Sequence, residues 1–106
     1  MSIETLSMHD LHEKLSQLSA DELILDVRRP DEFQTAHIRG ARNIPHEQVA
    51  QFASDLKKYK KIYIHCQAGR RAQVATQTLS QLGLTNLACI GNSGMGDWIA
   101  AGYPTE

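Results

Sequence analysis

Residues 61–72 read KIYIHCQAGRRA. An apolar run ends on a cysteine, a glycine follows, and two arginines come next. KIYIH has the β-branched and aromatic character of a short strand, with Ile62 and Ile64 on one side. Downstream, Val74, Ala75, Thr78, Leu79 and Leu82 share one face of a helix that begins near Arg70 or Arg71. Gly83 is placed to close that helix in a left-handed C-cap, and LACI, residues 87–90, reads as the next strand. A strand, a tight glycine turn, a helix and a strand predict parallel pairing, because the chain must cross back over the sheet before it runs forward again.

The same alternation continues in both directions. ELILDV, residues 22–27, is a second buried strand that stops at the turn signal Arg28-Arg29-Pro30-Asp31, with proline placed to open one or two helical turns up to Thr35. Gly40 breaks the chain after HIR, and Ala41 to Ile44 form a short strand. Val49, Phe52, Ala53 and Leu56 give another helical stripe. Near the start, Met8, Leu11, Leu15 and Leu18 recur at steps of three and four behind a Ser7–Asp10 capping box. SGMGDWIAAGYP supplies a glycine-rich loop, a short helix with Trp98 and Ile99, and a stop at Gly102 and Pro104. These elements predict an α/β fold: a central parallel sheet of four to five strands, apolar on both sides and covered by helices on both faces. In such sheets binding sites form at the carboxyl ends of strands, and Cys66 stands at one.

At 106 residues the chain suits a single domain over residues 1–106. Eleven Lys and Arg against twelve Asp and Glu leave a formal charge of −1, without the basic footprint that a nucleic-acid backbone requires. No stretch approaches the roughly 18 apolar residues of a membrane span. The opening MSIETLSMHDLHEK lacks a basic and apolar leader pattern, so the expectation is a soluble cytoplasmic protein without a membrane partner. In a reducing compartment Cys66 and Cys89 are expected as free thiols.

A thiol just ahead of a helix N-terminus faces backbone N–H groups that lack helical partners. Those donors, the helix dipole and the charges of Arg70 and Arg71 all favour thiolate over thiol, and Gly69 lets the backbone turn without a side chain in the bowl. Paired cations at a helix N-terminus are unfavourable unless an anion compensates them, so their placement favours an anionic ligand.

Cys66-Gln67-Ala68-Gly69-Arg70-Arg71-Ala72 resembles the active-site loop of rhodanese-type sulfurtransferases: Cys, two residues, Gly, one residue, Arg, then Ser or Ala. DVRRPDEFQTAHIRGARNIP is similar to the family's upstream segment through Asp26, Val27, Arg28, Glu32, Phe33, His37, Ile38, Gly40, Ala41, Asn43, Ile44 and Pro45. The tail resembles the family's closing segment through Gly94, Trp98, Gly102 and Pro104. Ala36 departs from the family's usual Gly before His-Ile, and Ser93 replaces the first of a Gly pair. His65-Cys66 also begins the H-C-x5-R motif of cysteine phosphatases, but the position that should carry that arginine is Ala72.

The resemblance implies a rhodanese-like fold and a two-step sulfur transfer. Cys66 is the catalytic nucleophile, and Gln67, Ala68, Gly69, Arg70 and Arg71 bind substrate through backbone N–H groups and a steering charge. The donor is a small sulfane compound such as thiosulfate, and the acceptor a thiol or cyanide. No metal or organic cofactor is required. The alternatives are a module that relays sulfur between protein donors and acceptors or merely docks, with little thiosulfate turnover, and, behind it, a cysteine phosphatase.

His9 and His12, three apart on the first helix, lack a third ligand and are read as a solvated face. His65 points away from Cys66 because adjacent strand residues alternate, so it packs or hydrogen-bonds. Cys89 is read as a small apolar core residue. The resemblance implies that the glycine-rich loop before Trp98 lies beside the active site, which puts Met95 at the pocket rim. Asp26 and Arg28 are read as an ion pair that supports the strand end, so that substituting Asp26 costs stability before chemistry.

Overall fold

The computed structural model describes residues 3–106. Five parallel strands, β1 (Glu4–Thr5), β2 (Glu22–Asp26), β3 (Arg42–Asn43), β4 (Lys61–His65) and β5 (Leu87–Cys89), lie in the order β1-β5-β4-β2-β3. Five helices accompany them: α1 (Met8–Lys14), α2 (Pro30–Thr35), α3 (Ala53–Leu56), α4 (Arg70–Gln81) and α5 (Met95–Ala100). This is the expected α/β sheet, with helices on both faces.

Alternation along the strands separates two cores. Leu23, Leu25 and Val27 join Ile62, Ile64, Cys66 and Cys89 under Ala72, Ala75 and Leu79 of α4, with Val49 and Leu56 beside them. On the other face Ile24, Tyr63, Ala88 and Ile90 pack against Met8 and Leu11 of α1 and Met95 and Trp98 of α5. Fully burying one such large side chain contributes about 1.5–3 kcal/mol, so α1, α3, α4 and α5 are held chiefly by their apolar faces, whereas α2 buries no residue fully.

Local chemistry sets the ends of these elements. Ser7 Oγ accepts from the Asp10 N–H at 3.1 Å while Asp10 accepts from the Ser7 N–H at 2.9 Å, completing the expected capping box. At the end of α4, Gly83 adopts φ +93° and donates to Ser80 O, while Leu84 donates to Leu79 O, a Schellman closure.

Three boundaries differ from the sequence expectation. The strand expected over 41–44 pairs only at Arg42 and Asn43. The stripe around Val49 begins as a 3-10 helix, His46–Phe52, because the chain leaves Pro45 with a Gln48 N–H to Pro45 O bond; only Ala53–Leu56 is α-helical. β1 was not anticipated, since two exposed residues carry no alternating pattern.

Strand order reverses between β2 and β4: the chain moves outward from β2 to β3, then from β4 to β5 on the other side. A crevice therefore opens at the carboxyl ends of β2 and β4. The loops that enter it are Val27–Arg29 and Cys66–Gly69.

Candidate active site

Cys66 follows the last residue of β4, and α4 begins four residues later. Its side chain is 1% exposed, and its Sγ accepts backbone N–H groups from Gly69 at 3.0 Å and Ala72 at 3.3 Å. Hydrogen bonds to a charged acceptor contribute about 1.5–3 kcal/mol each, against about 0.3–1 kcal/mol for a charge near a helix dipole. The two directed N–H groups therefore dominate whatever favours an anionic sulfur here.

Glycine is required at two points of this cradle. Gly69 sits at φ +119°, and a Cβ there would run into the Gly91 carbonyl. A Cβ on Gly94 would strike the carbonyl oxygens of Cys66 and Gln67. Close approach lets the Met95 N–H donate to Cys66 O at 2.9 Å and the Gly96 N–H to Gln67 O at 3.2 Å. The loop carbonyls are thus engaged by the start of α5.

The sequence-predicted binding residues fall into different settings. Gly69 is buried and Ala68 exposed, and the Gly69 N–H is the one donor of residues 67–71 that bonds the sulfur. Ala72 supplies the second, although the expected cradle stopped at Arg71. Counting from the Gly69 cap makes Ala72 the third helical residue, whose N–H has no helical partner, and that count was the available signal. Arg70 is exposed and has no carboxylate partner among the described residues. Arg71 is claimed by Glu32, which accepts both ends of its guanidinium at 2.6 and 3.0 Å. Arg71 holds the Glu32 carboxyl down to about 2, with help from the Arg29 N–H and against partial burial.

The crevice's other wall is a closed polar network. Arg28, 3% exposed, forks onto Asp26 at 2.8–3.1 Å, donates to Ala36 O at 2.7 Å and reaches Gln67 Oε1 at 3.2 Å. Asn43 Nδ2 bridges the carbonyls of Asp26 and Arg28, both at 3.0 Å. Asp26 and Arg28 are the ion pair expected at the strand end. Their network joins the strand end to the cysteine loop through Gln67.

His65 is fully buried on the opposite side from Cys66, and neither ring nitrogen has a hydrogen-bond partner among the described residues. Burial pushes its pKa down, only partly opposed by Asp26 at 3.9 Å, so it is a neutral packing residue. Met95 is not at a rim: the first residue of α5, it is fully buried in the core that holds Met8 and Leu11 of α1, and its N–H meets the loop. His9 and His12 lie against Tyr103, His9 through a 2.6 Å contact to the hydroxyl and His12 by ring stacking at 3.7 Å.

Both departures from the family pattern have a physical account. Ala36 is extended at φ −165°, a conformation open to any residue. Ser93 Oγ accepts from the Met8 N–H at 3.0 Å and satisfies one orphan donor of α1.

Residues 7–101 match the family model described as a rhodanese-like domain. The chain is 31% identical to a protein named thiosulfate sulfurtransferase 16, chloroplastic, of Arabidopsis thaliana, over 99% of this chain and 92% of the relative. It is 36% identical to a candidate sulfur carrier protein, YrkF, of Bacillus subtilis, over 92% of this chain and 51% of the relative. It therefore spans about half the length of curated relatives that it matches (51%). A crystal structure of a rhodanese-related protein from Thermoplasma volcanium is similar with a TM-score of 0.82 and 32% identity, covering 97% of each chain.

Proposed function

Because the chain belongs to the rhodanese-like family, we propose that residues 1–106 act as one sulfurtransferase domain that carries sulfane sulfur as a persulfide on Cys66. The observation that carries this reading is the convergence of the Gly69 and Ala72 N–H groups on Sγ. In the first step the Cys66 thiolate bonds to the outer sulfur of thiosulfate. The S–S bond of the donor breaks, and sulfite leaves with its electron pair. The cradle amides then hold a negative charge spread over the persulfide. In the second step a thiol or cyanide bonds to the outer sulfur and Sγ recovers its electron pair. Arg70, exposed and without an acidic partner among the described residues, is the charge available to steer an anionic donor; Arg71 holds Glu32 instead. No described helix is long and apolar enough to cross a membrane, and a persistent thiol suits the cytoplasm.

The test is intact mass after thiosulfate treatment, beside Cys66→Ala, with thiocyanate formation followed on adding cyanide. A gain of one sulfur atom that the variant lacks, with turnover, is expected. No gain and no turnover would overturn the thiosulfate reading. The relay reading draws on the deep burial of Sγ and on the sulfur-carrier relative. It predicts loading from a cysteine desulfurase persulfide together with poor thiosulfate turnover.

A further inference from the structure

His65 is a buried titratable side chain that the transfer steps above leave unused. It ends β4 directly before the nucleophile, and its ring lies fully out of solvent on the sheet face that carries α1 and α5. A neutral imidazole carries one N–H donor and one acceptor nitrogen, and here neither Nδ1 nor Nε2 has a hydrogen-bond partner among the described residues. Burying polar atoms unpaired is costly, and an apolar side chain would avoid that cost. Packing alone therefore does not account for a histidine at this position.

The charges that face the ring belong to the network around Cys66. Asp26 is the register partner of His65 across β2 and β4, and its Oδ2 stands 3.9 Å from Nε2, beyond hydrogen-bond reach. Arg28 Nη2 holds that same oxygen at 2.8 Å, while Arg28 Nη1 holds Gln67 Oε1, on the residue after Cys66. The other elements of this face bring apolar side chains: Ala88 from β5, Met8 and Leu11 from α1, Met95 and Trp98 from α5. Their titratable neighbours are engaged elsewhere: Tyr63 with Glu22, Asp10 with Ser7, Asp97 with the Gly94 N–H, and His9 and His12 against Tyr103.

Uncharged, the ring leaves the Asp26 carboxylate wholly to Arg28. Burial pushes its pKa below the ordinary 6.5; Asp26 opposes that push, Arg28 adds to it, and the Cys66 backbone opposes it. A protonated ring has two donors and no acceptor, so it turns to the Asp26 carboxylate and the Cys66 backbone. One carboxylate then serves two buried cations. Arg28 is held less firmly, and with it the tie to Gln67.

We propose that His65 is a positioning residue with an acid-sensitive setting: neutral, it leaves Asp26, Arg28 and Gln67 to hold the cysteine loop; protonated, it draws Asp26 from Arg28 and slackens that loop while the domain stays folded. This rests on the sulfurtransferase reading above and extends it to regulation of the same site. Acidification slows sulfur loading through a side chain that touches neither substrate nor Sγ.

The first test needs no turnover: isotope-labelled wild-type protein is titrated by NMR from about pH 8 to about pH 4. The His65 ring is expected to take up its proton below 6.5, with the Gln67 side-chain amide and the Arg28 Nε–H shifting at the same midpoint. A ring that titrates while those two signals stay still, or that takes no proton before the whole domain unfolds, would overturn the proposal. In His65→Leu, or His65→Gln should leucine fail to fold, the two shifts are expected to vanish; shifts that persist would assign them to another group and overturn it. Unfolded His65 binds its proton more readily than folded His65, so stability is lost as pH falls from 6.5 toward the folded midpoint. The ratio of wild-type to variant folding constants is expected to drop by up to about tenfold per pH unit in that window, and a flat ratio would overturn the proposal. Sulfur loading of wild type relative to the variant is expected to fall about tenfold once the ring is charged; equal rates throughout would overturn the link to Cys66. Failure of wild-type protein to load from thiosulfate at any pH would sink the donor reading alone, because the NMR titration still decides the role of His65.

Discussion

The two cysteines share one face of the sheet, and both are buried, Cys66 at 1% and Cys89 at 6% exposure. Cys89 pairs in register with Ile64, two residues before Cys66 in the adjacent strand. Their surroundings nevertheless differ in kind. Cys89 lies within β5, where the strand's N–H groups serve the ladder, and burial pushes its thiol up. Cys66 lies one residue past the end of its strand, where two N–H groups of the turn and the first helical turn aim at sulfur. Burial alone makes a thiol inert; burial at the junction of a strand and a helix N-terminus supplies donors that an anion can use.

The largest way to break this contrast is to remove one sulfur. Cys66→Ala is expected to abolish sulfur gain from thiosulfate and thiocyanate formation, a loss beyond about a thousandfold given covalent catalysis through one thiolate. Residual turnover above a tenth of wild type would put the nucleophile elsewhere.

Next in size is the network opposite the cradle. Asp26→Ala leaves the Arg28 guanidinium buried without its carboxylate, which costs about 3–5 kcal/mol. Denaturant unfolding measures it. The folded fraction is expected still to load sulfur, and a loss under about 1 kcal/mol would show that the pair supports little.

Gly69→Ala attacks the cradle itself. The new Cβ meets the Gly91 carbonyl at a backbone angle unsuited to alanine, so about 1–3 kcal/mol of stability is expected to go. Loading is expected to slow about a hundredfold, since displacement of a reacting group by about 1 Å costs that much. Full loading rates at normal stability would mean that the Gly69 N–H is dispensable, and the contrast with Cys89 would then rest on the Ala72 N–H alone.

Glu32→Gln probes the clamp on Arg71. The Glu32 carboxyl sits at about 2 in the folded protein against an ordinary 4.5, so its contribution is fully present above pH 4.5 and is lost as pH falls toward 2. The variant is expected to be less stable by about 1–2 kcal/mol at neutral pH, with the gap closing across that window. A gap of the same size at pH 2.5 and pH 7 would assign the loss to packing rather than charge.

Most of the site could be read from residues 61–83 because strand alternation, a glycine turn and a helical stripe each have a local cause. The central strands β2 and β4 were visible for the same reason: apolar on both sides, they need no partner to be recognised. What escaped depends on partners distant in sequence. The exposed pair Glu4–Thr5 becomes a strand only beside Ala88 and Cys89. The Glu32–Arg71 clamp spans the crevice, so its guanidinium reads as free in a linear chain although it is not. Met95 looked like a rim residue because its loop borders the site, yet its side chain turns into the second core. The N–H of Ala72 was within reach of counting but was one helical position beyond the residues that bear the motif's charge.

The smallest effect is expected at the other cysteine. Cys89→Ala removes a buried sulfur from the core under α4 and leaves the cradle untouched, because the donors to Cys66 come from residues 69 and 72. Trimming one heavy atom from a packed core costs about 1 kcal/mol. Sulfur loading and thiocyanate formation are expected to stay within about twofold of wild type, since no step assigned to Cys66 draws on a second thiol. A larger fall in turnover without loss of stability would mean that Cys89 takes part in the transfer, and the difference between the two thiols would then be one of sequence in the reaction rather than of active against inert.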